Sequence, residues 1–249
     1  MWRLIRDGAC DGDYNMALDT AIADAVAAGE SPPTLRIYRW NRPTISVGRL
    51  QNVAEGIDLA FCEEHDVPLV RRPTGGRAIL HKDDVTYSVA VKASDIASGG
   101  SVVESYKWIS RGLVAGLVRV GIDAEMGNGR DSRADRKRSA DCFRSTARSD
   151  VMAEGRKVIG SAQCRRRGAI LQQGTIPLQA KPAELRGVFR DRLPDHPWLI
   201  ADPGVIEEAI IQGFGEVGVE LSLGEVSDTE TKAALSIVAS AEWKVLSAE

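Results

Sequence analysis

Covalent cross-links are scarce in this chain. Its 249 residues hold four cysteines, Cys10, Cys62, Cys142 and Cys164, spaced too widely to read as a disulfide framework. Free thiols are the expectation. Cys62 and His65 lie close enough to share a metal, but no second pair with zinc-ligand spacing accompanies them, so no metal site is predicted. Apolar runs long enough to cross a membrane are missing as well. Met1-Trp2-Arg3-Leu4-Ile5-Arg6-Asp7 lacks the apolar centre of a secretory leader, which makes the cytoplasm the default location. A formal net charge of -3 excludes any global pull toward nucleic acid or acidic membranes. No internal repeat and no low-complexity linker interrupts the chain. What is left is an ordinary globular composition, 43% hydrophobic and 27% charged, at a length that suits one domain over residues 1–249.

Periodicity gives the elements. Tyr14, Leu18, Ile22, Ala25 and Val26 recur at helical spacing, predicting a helix over 13–29 with Asp13 as its cap. Residues 34–40 alternate in character and predict a half-buried strand; Asn41-Arg42-Pro43 turns it into a partner strand at 44–48. A short helix at 57–65 is followed by strands near 67–72, 78–80 and 85–91. Val102, Tyr106, Ile109, Leu113, Leu117 and Val120 form one face of a long helix. Residues 127–150 hold few apolar side chains and many arginines, among them Arg136, Arg138 and Arg144, and read as a long basic surface loop. Strands return at 151–153, 158–163 and 169–176, and helices are expected at 182–189, 203–217 and 228–239. Such an order lacks the regular alternation of a doubly wound fold. It predicts an α+β fold with a mixed, largely antiparallel sheet and packed helices.

The segment Arg71-Arg72-Pro73-Thr74-Gly75-Gly76-Arg77-Ala78-Ile79-Leu80-His81 carries the most information. Gly75 and Gly76 let backbone turn tightly and lie close to a ligand. Apolar residues on both sides suggest a strand entering and another leaving, and the arginines supply forked donors suited to carboxylate or phosphate. A hairpin with exposed charge is the competing reading.

Three further segments join it: Asn15-Met16-Ala17-Leu18-Asp19; Arg36-Ile37-Tyr38-Arg39-Trp40 with Pro43, Ser46, Gly48 and Gln51; and Gly155-Arg156-Lys157-Val158-Ile159-Gly160-Ser161-Ala162-Gln163 leading into Leu171-Gln172-Gln173-Gly174-Thr175-Ile176. The glycine segment itself continues into Asp84, Thr86, Tyr87 and Ser88. Together, from about Trp2 to Trp243, they resemble the lipoate-protein ligase and octanoyltransferase family, related to biotin protein ligases. The resemblance implies a fold like the biotin protein ligase catalytic domain. It also implies attachment of an eight-carbon acyl chain to a lysine of a small carrier domain. Within the family, ligases activate free lipoate with ATP, whereas some transferases take octanoate from acyl carrier protein through a cysteine thioester.

Cys142 separates the two. Asp141-Cys142-Phe143 lies 15 positions before Lys157, and cysteine-dependent octanoyltransferases are similar in carrying a Cys-Phe pair at this distance. A thioester donor is already activated, so a thiolate can accept the acyl group without ATP, and neighbouring Lys or Arg charge favours the thiolate. By this likeness Cys142 is the nucleophile and Lys157 stabilises the oxyanion, both catalytic, with no cofactor. Arg72, Gly75, Gly76, His81, Gly160 and Gly174 are the expected substrate-binding residues, Arg72 orienting the loop or a pantetheine arm. His81 is also a candidate general base. Cys164, which ends a predicted strand before three arginines, is the rival nucleophile; Cys10 and Cys62 read as structural. The expected partners are octanoyl-acyl carrier protein as donor and a lipoyl carrier domain (glycine cleavage H protein or a dehydrogenase E2 subunit) as acceptor. The basic loop offers a surface complementary to an acidic carrier.

Two departures stand out. The family commonly has His before the glycine of Gly174-Thr175, where this chain has Gln173, and an amide does not exchange a proton as imidazole does. After Cys142-Phe143 the family's Pro-Ser pair is replaced by Arg144-Ser145-Thr146-Ala147-Arg148-Ser149. The competing activities are an ATP-dependent lipoate ligase, disfavoured because the chain ends soon after Ala241-Glu242-Trp243, and a non-catalytic acyl-carrier-binding protein.

Overall fold

A computed structural model describes residues 1–96, 100–127, 142–144, 150–191 and 201–240. In chain order the first elements are β1 (Trp2–Cys10), α1 (Gly12–Ala28), β2 (Thr34–Trp40), β3 (Thr44–Val47), α2 (Leu59–Glu64) and β4 (Leu69–Arg71). Next come β5 (Ile79–His81), β6 (Asp84–Lys92), α3 (Val102–Arg119), β7 (Ala124–Met126), β8 (Val151–Ala153) and β9 (Arg156–Arg166). The chain continues through β10 (Ala169–Pro177), α4 (Pro203–Glu216), β11 (Leu221–Leu223) and α5 (Asp228–Ala239).

Eight strands form one sheet in the order β11-β1-β2-β6-β10-β9-β8-β7. The pairings β11–β1 and β1–β2 are parallel, and every other pairing in the sheet is antiparallel. This is the mixed, largely antiparallel α+β fold that the element order predicts. Helices α3 and α4 cover one face, burying Ile109, Leu113, Leu117, Ile206, Ile210 and Phe214 against Leu35, Val89 and Ile170. On the other face lie α1 and α5, with Leu18, Ile22 and Ala234 against Ala90 and Leu171. With both faces covered, β10 is buried at all nine positions and its apolar residues need not alternate with polar ones. Among the described residues no helix is long and apolar enough to cross a membrane.

A second sheet, β4-β3-β5, sits beside the first and frames the glycine segment. β4 enters the segment and β5 leaves it, yet they do not pair. Both flank β3, one parallel and one antiparallel, so the segment is a crossover loop and the hairpin reading is excluded. Nor is β3 the partner of β2, as the turn at Asn41-Arg42-Pro43 suggests; that turn carries the chain from one sheet to the other.

Other expectations shift. β1, β7 and β11 are absent from the periodicity reading, the last two because three residues carry no period. Residues Ala183–Val188 are a 3-10 stretch where an α-helix is predicted. The N-cap of α1 is Asp11, not Asp13. Cys62 does occupy the buried side of α2, 2% exposed.

Candidate active site

The glycine segment is held from below by a buried arginine. Arg72 Nη1 donates to Ser46 O at 2.9 Å, and Arg72 Nη2 donates to Gly75 O and Arg77 O, each at 2.7 Å. One guanidinium thereby fixes both ends of the turn, the use of a rigid fork that lysine could not reproduce. Burial lowers the Arg72 pKa to about 10, opposed by the sulfur of Cys142 and by Tyr38, so the group stays charged at neutral pH. Of the glycine pair, Gly76 has the positive φ, +90°. A Cβ at Gly75 meets open space, so sterics demand glycine only at the second position. They demand it again at Gly48, where a Cβ would stand 2.0 Å from the Gly76 carbonyl oxygen.

Cys142 and Phe143 turn inward from the basic segment and are buried against Ile79, with Cys142 N donating to Ala78 O at 3.0 Å. Within the stretch that reads as a basic surface loop, Cys142 is thus a packed residue whose backbone is anchored to the end of the glycine segment. Residues 128–141 and 145–149, including Arg136, Lys137, Arg138 and Arg148, lie outside the described residues. The cation at the sulfur comes from β9. Lys157 Nζ stands 3.4 Å from Cys142 Sγ, 3.3 Å from Cys142 O and 3.1 Å from Asp150 Oδ2. Burial works against this ammonium, but Cys142 and Asp150 outweigh it and the pKa of Lys157 is raised. Gly160, three positions further along β9, would with a Cβ press to 3.1 Å on the Phe143 ring and 3.5 Å on Cys142 Sγ. Its bareness lets the Cys142-Phe143 turn seat on the sheet.

The rival thiol sits elsewhere. Cys164 packs in the cluster under α1, and burial raises its pKa. Burial also pushes Cys62 up, to about 11, and raises Cys10.

Behind these groups lies a narrow cleft, about 350 Å³ of space when the solvent at its mouth is included. Cys142, Gly160, Arg72, His81, Gln173 and Gly174 all line it, and Met16, Trp40, Ile79 and Ala162 supply apolar wall. Gly75, Gly76 and Lys157 border it through their contacts rather than line it. At Gly174 a Cβ would lie 2.5 Å from both Ser161 Oγ and Tyr87 Cε1, so glycine admits the Tyr87 ring.

Gln173, the departure from the family's histidine, is tied on both sides. Its Nε2 donates to Asp19 Oδ2 at 2.7 Å, and its Oε1 accepts from Thr74 Oγ1 at 2.9 Å. Asp19 also accepts from Arg36 Nη1 at 2.8 Å, Tyr38 Oη at 2.8 Å and Ser88 Oγ at 2.7 Å. The polar residues of the first motifs thus form one satisfied buried network that ends on the glycine loop. A fixed donor and a fixed acceptor stand here in place of an imidazole.

His81 is buried between two partners that the sequence reading quotes without giving them a role. His81 Nδ1 lies 2.7 Å from Asp84 Oδ2, and His81 Nε2 lies 2.8 Å from Ser46 Oγ. Trp40 stacks on its ring at 3.8 Å. Burial lowers the His81 pKa, with Asp84 opposing. The legible signal for Asp84 was its spacing, three positions after a histidine across a tight turn where Asp83 has φ +54°. Nothing in the sequence marks Asp150 as the partner of Lys157.

This site sits on a recognisable frame. The profile of the lipoyl protein ligase A/B catalytic domain matches residues 11–196. A curated protein of Kyrpidia tusciae, named octanoyltransferase LipM, is 41% identical over 96% of this chain and 95% of its own. Another of that name, from Geobacillus kaustophilus, is 42% identical over 76% of this chain and 70% of its own. Among solved structures, a lipoate-protein ligase A bound with ATP superposes with a TM-score of 0.77 at 23% identity, covering 95% of this chain and 94% of the other. A bipartite lipoate protein ligase from Thermoplasma acidophilum gives 0.70 at 20% identity, covering 95% and 92%. The fold is that of the lipoate ligases, and by sequence the chain belongs to the lipoyl protein ligase A/B catalytic-domain family.

Proposed function

We propose that this protein is an octanoyltransferase of the cytoplasm, acting as one catalytic domain. It moves an octanoyl group from acyl carrier protein, through a thioester on Cys142, to a lysine of a lipoyl carrier domain such as a glycine cleavage H protein or a dehydrogenase E2 subunit. The observation that carries the reading is the ammonium of Lys157 at 3.4 Å from Cys142 Sγ, at the wall of a cleft with apolar sides. Relatives of 41–42% identity that bear the octanoyltransferase name support it.

In the first half-reaction the thiolate attacks the donor's thioester carbonyl. A bond forms from Cys142 Sγ to the acyl carbon, and the carrier's pantetheine sulfur leaves. Lys157 faces the charge that develops on the carbonyl oxygen, with backbone N–H groups of the Gly75-Gly76 turn completing the donor set. Arg72 holds that turn in shape, Gly160 seats the nucleophile, and Gly174 lets the Tyr87 ring pack behind the cleft wall. In the second half-reaction the acceptor's lysine takes the acyl group as an amide and frees the sulfur. No cofactor is needed because the donor arrives activated.

The test is transfer to a lipoyl domain followed by intact mass. Octanoyl-acyl carrier protein without ATP is expected to give the octanoylated domain, and Cys142→Ser to abolish it. Product only with ATP and free octanoate or lipoate assigns a ligase, and no product under either condition assigns a carrier-binding protein; both overturn the proposal.

A further inference from the structure

The second half-reaction leaves a proton unaccounted for. An amine in water at neutral pH is an ammonium, and only its neutral form attacks an acyl carbon. Two buried cations, Arg72 and Lys157, already stand around the cleft, so a third positive charge entering it is disfavoured. The acceptor therefore has to lose a proton at the cleft, to a group that is uncharged and within reach.

One chain of groups has that form. Asp84 is buried, and its carboxyl is held below the usual range by His81, against the cost of burial. As an ion it only accepts, taking hydrogen bonds from Thr175 Oγ1 and from His81 Nδ1. His81 therefore carries its hydrogen on Nδ1 and turns a lone pair on Nε2 toward Ser46 Oγ at 2.8 Å. Ser46 Oγ donates to that lone pair and accepts from Arg72 Nη1 at 3.2 Å. Its remaining lone pair is the open end of the chain, and Ser46, His81 and Cys142 line the same cleft. The groups facing His81 from all sides are Asp84 on β6, Ser46 on β3, Trp40 on β2, Arg72 after β4 and Lys181 after β10. The two cations among them disfavour a lasting imidazolium, so a proton received there is passed on.

Building on the transferase reading, we propose that Ser46, His81 and Asp84 form the proton relay of the acyl-transfer step, with Ser46 Oγ the catalytic atom that receives the proton of the acceptor lysine's ammonium. The ammonium gives one proton to Ser46 Oγ while the Ser46 hydroxyl proton passes to His81 Nε2. The freed amine nitrogen then bonds to the acyl carbon, and the carbon–sulfur bond breaks with its electron pair going to Cys142 Sγ. The nitrogen's second proton goes to that sulfur, and the imidazolium returns the first to solvent. Asp84 is a positioning residue, fixing the tautomer.

The experiment uses the full chain loaded with octanoate on Cys142, mixed with a lipoyl domain in a single turnover between pH 6.5 and 10. Each protein is first brought to the same octanoyl-enzyme content, checked by intact mass, and Ser46→Ala and His81→Gln are then expected to transfer about 100-fold or more slowly at pH 7, the usual reach of general base catalysis. The deficit shrinks toward pH 10, where a substantial fraction of the acceptor is a free amine without help. A merely structural lesion keeps the same deficit at every pH. Ser46→Thr, which keeps the hydroxyl, restores most of the rate, and thermal unfolding of each variant establishes that it is folded. Wild-type rates in both Ser46→Ala and His81→Gln, or a pH-independent deficit, overturn the relay while leaving the acyl-enzyme standing. Failure of the wild-type protein to load at all overturns the transferase reading and the relay with it.

Discussion

Replacing Lys157 by Met removes a charge while keeping most of the side chain's length, and its consequence can be estimated from two distances. At 3.4 Å an ammonium and a thiolate attract by about 5 kcal/mol in a medium of effective dielectric near 20. Asp150, at 3.1 Å from the same nitrogen, takes a share of that attraction, and burial opposes it. A net loss of about 3 kcal/mol in the acylation step is what remains, roughly a 100-fold fall in rate, as for deletion of a single oxyanion donor. The variant also leaves the buried Asp150 without this cation, which costs about 3 kcal/mol of fold stability. The double variant Lys157→Met/Asp150→Asn separates the two effects. It is expected to regain most of the stability, read by urea unfolding, and none of the rate, read by quenched time courses of the octanoyl adduct. Acylation by the single variant within about threefold of wild type, or recovery of rate in the double variant, refutes the reasoning.

Three other outcomes follow from the same geometry. Gly48→Ala puts a methyl 2.0 Å from the Gly76 carbonyl, so the glycine turn is displaced; acylation should fall at least tenfold with a lowered unfolding midpoint. Arg36→Met leaves Asp19 buried without its guanidinium, and the unfolding free energy measured in urea should drop by about 3–5 kcal/mol. His81 has a folded-state pKa below its unfolded value, so its neutral form stabilises the fold fully above about pH 6.5 and the benefit is lost as pH falls. The stability gap between wild type and His81→Gln should therefore narrow by up to about 1.4 kcal/mol per pH unit below 6.5, as measured by denaturant midpoints.

Long periodic elements and the motif order were legible in the sequence; the pairing of elements was not. α1 and α3 announce themselves through apolar side chains at helical spacing, and β6, β9 and β10 contain the strands expected at 85–91, 158–163 and 169–176. β1 escaped because Arg3, Arg6 and Asp7 interrupt its apolar residues and its partners β2 and β11 are distant in sequence. The separate sheet of β3, β4 and β5 was hidden for a similar reason: two strands around a glycine turn imply a hairpin unless a third strand is inserted between them. At the site, Cys142, Lys157 and the glycine segment were singled out by the resemblance to the family, and the structure brings them together. The inward turn of Cys142-Phe143 was not legible, because a basic, polar stretch gives no hint that two of its residues pack on Ile79. Ser46 acquires meaning only through contacts tens of residues away, to Arg72 and His81, and Asp150 only through the β8–β9 pairing that brings it to Lys157, neither of which composition or period encodes.

The central claim concerns one atom, and peptide mapping addresses it directly. After brief incubation of the protein with octanoyl-acyl carrier protein and no ATP, acid quench, digestion and tandem mass spectrometry should place a single octanoyl group, labile to hydroxylamine, on the peptide containing Cys142. An octanoyl group on Cys164 or on a lysine, or transfer to the lipoyl domain by a protein whose Cys142 is never acylated, contradicts the account.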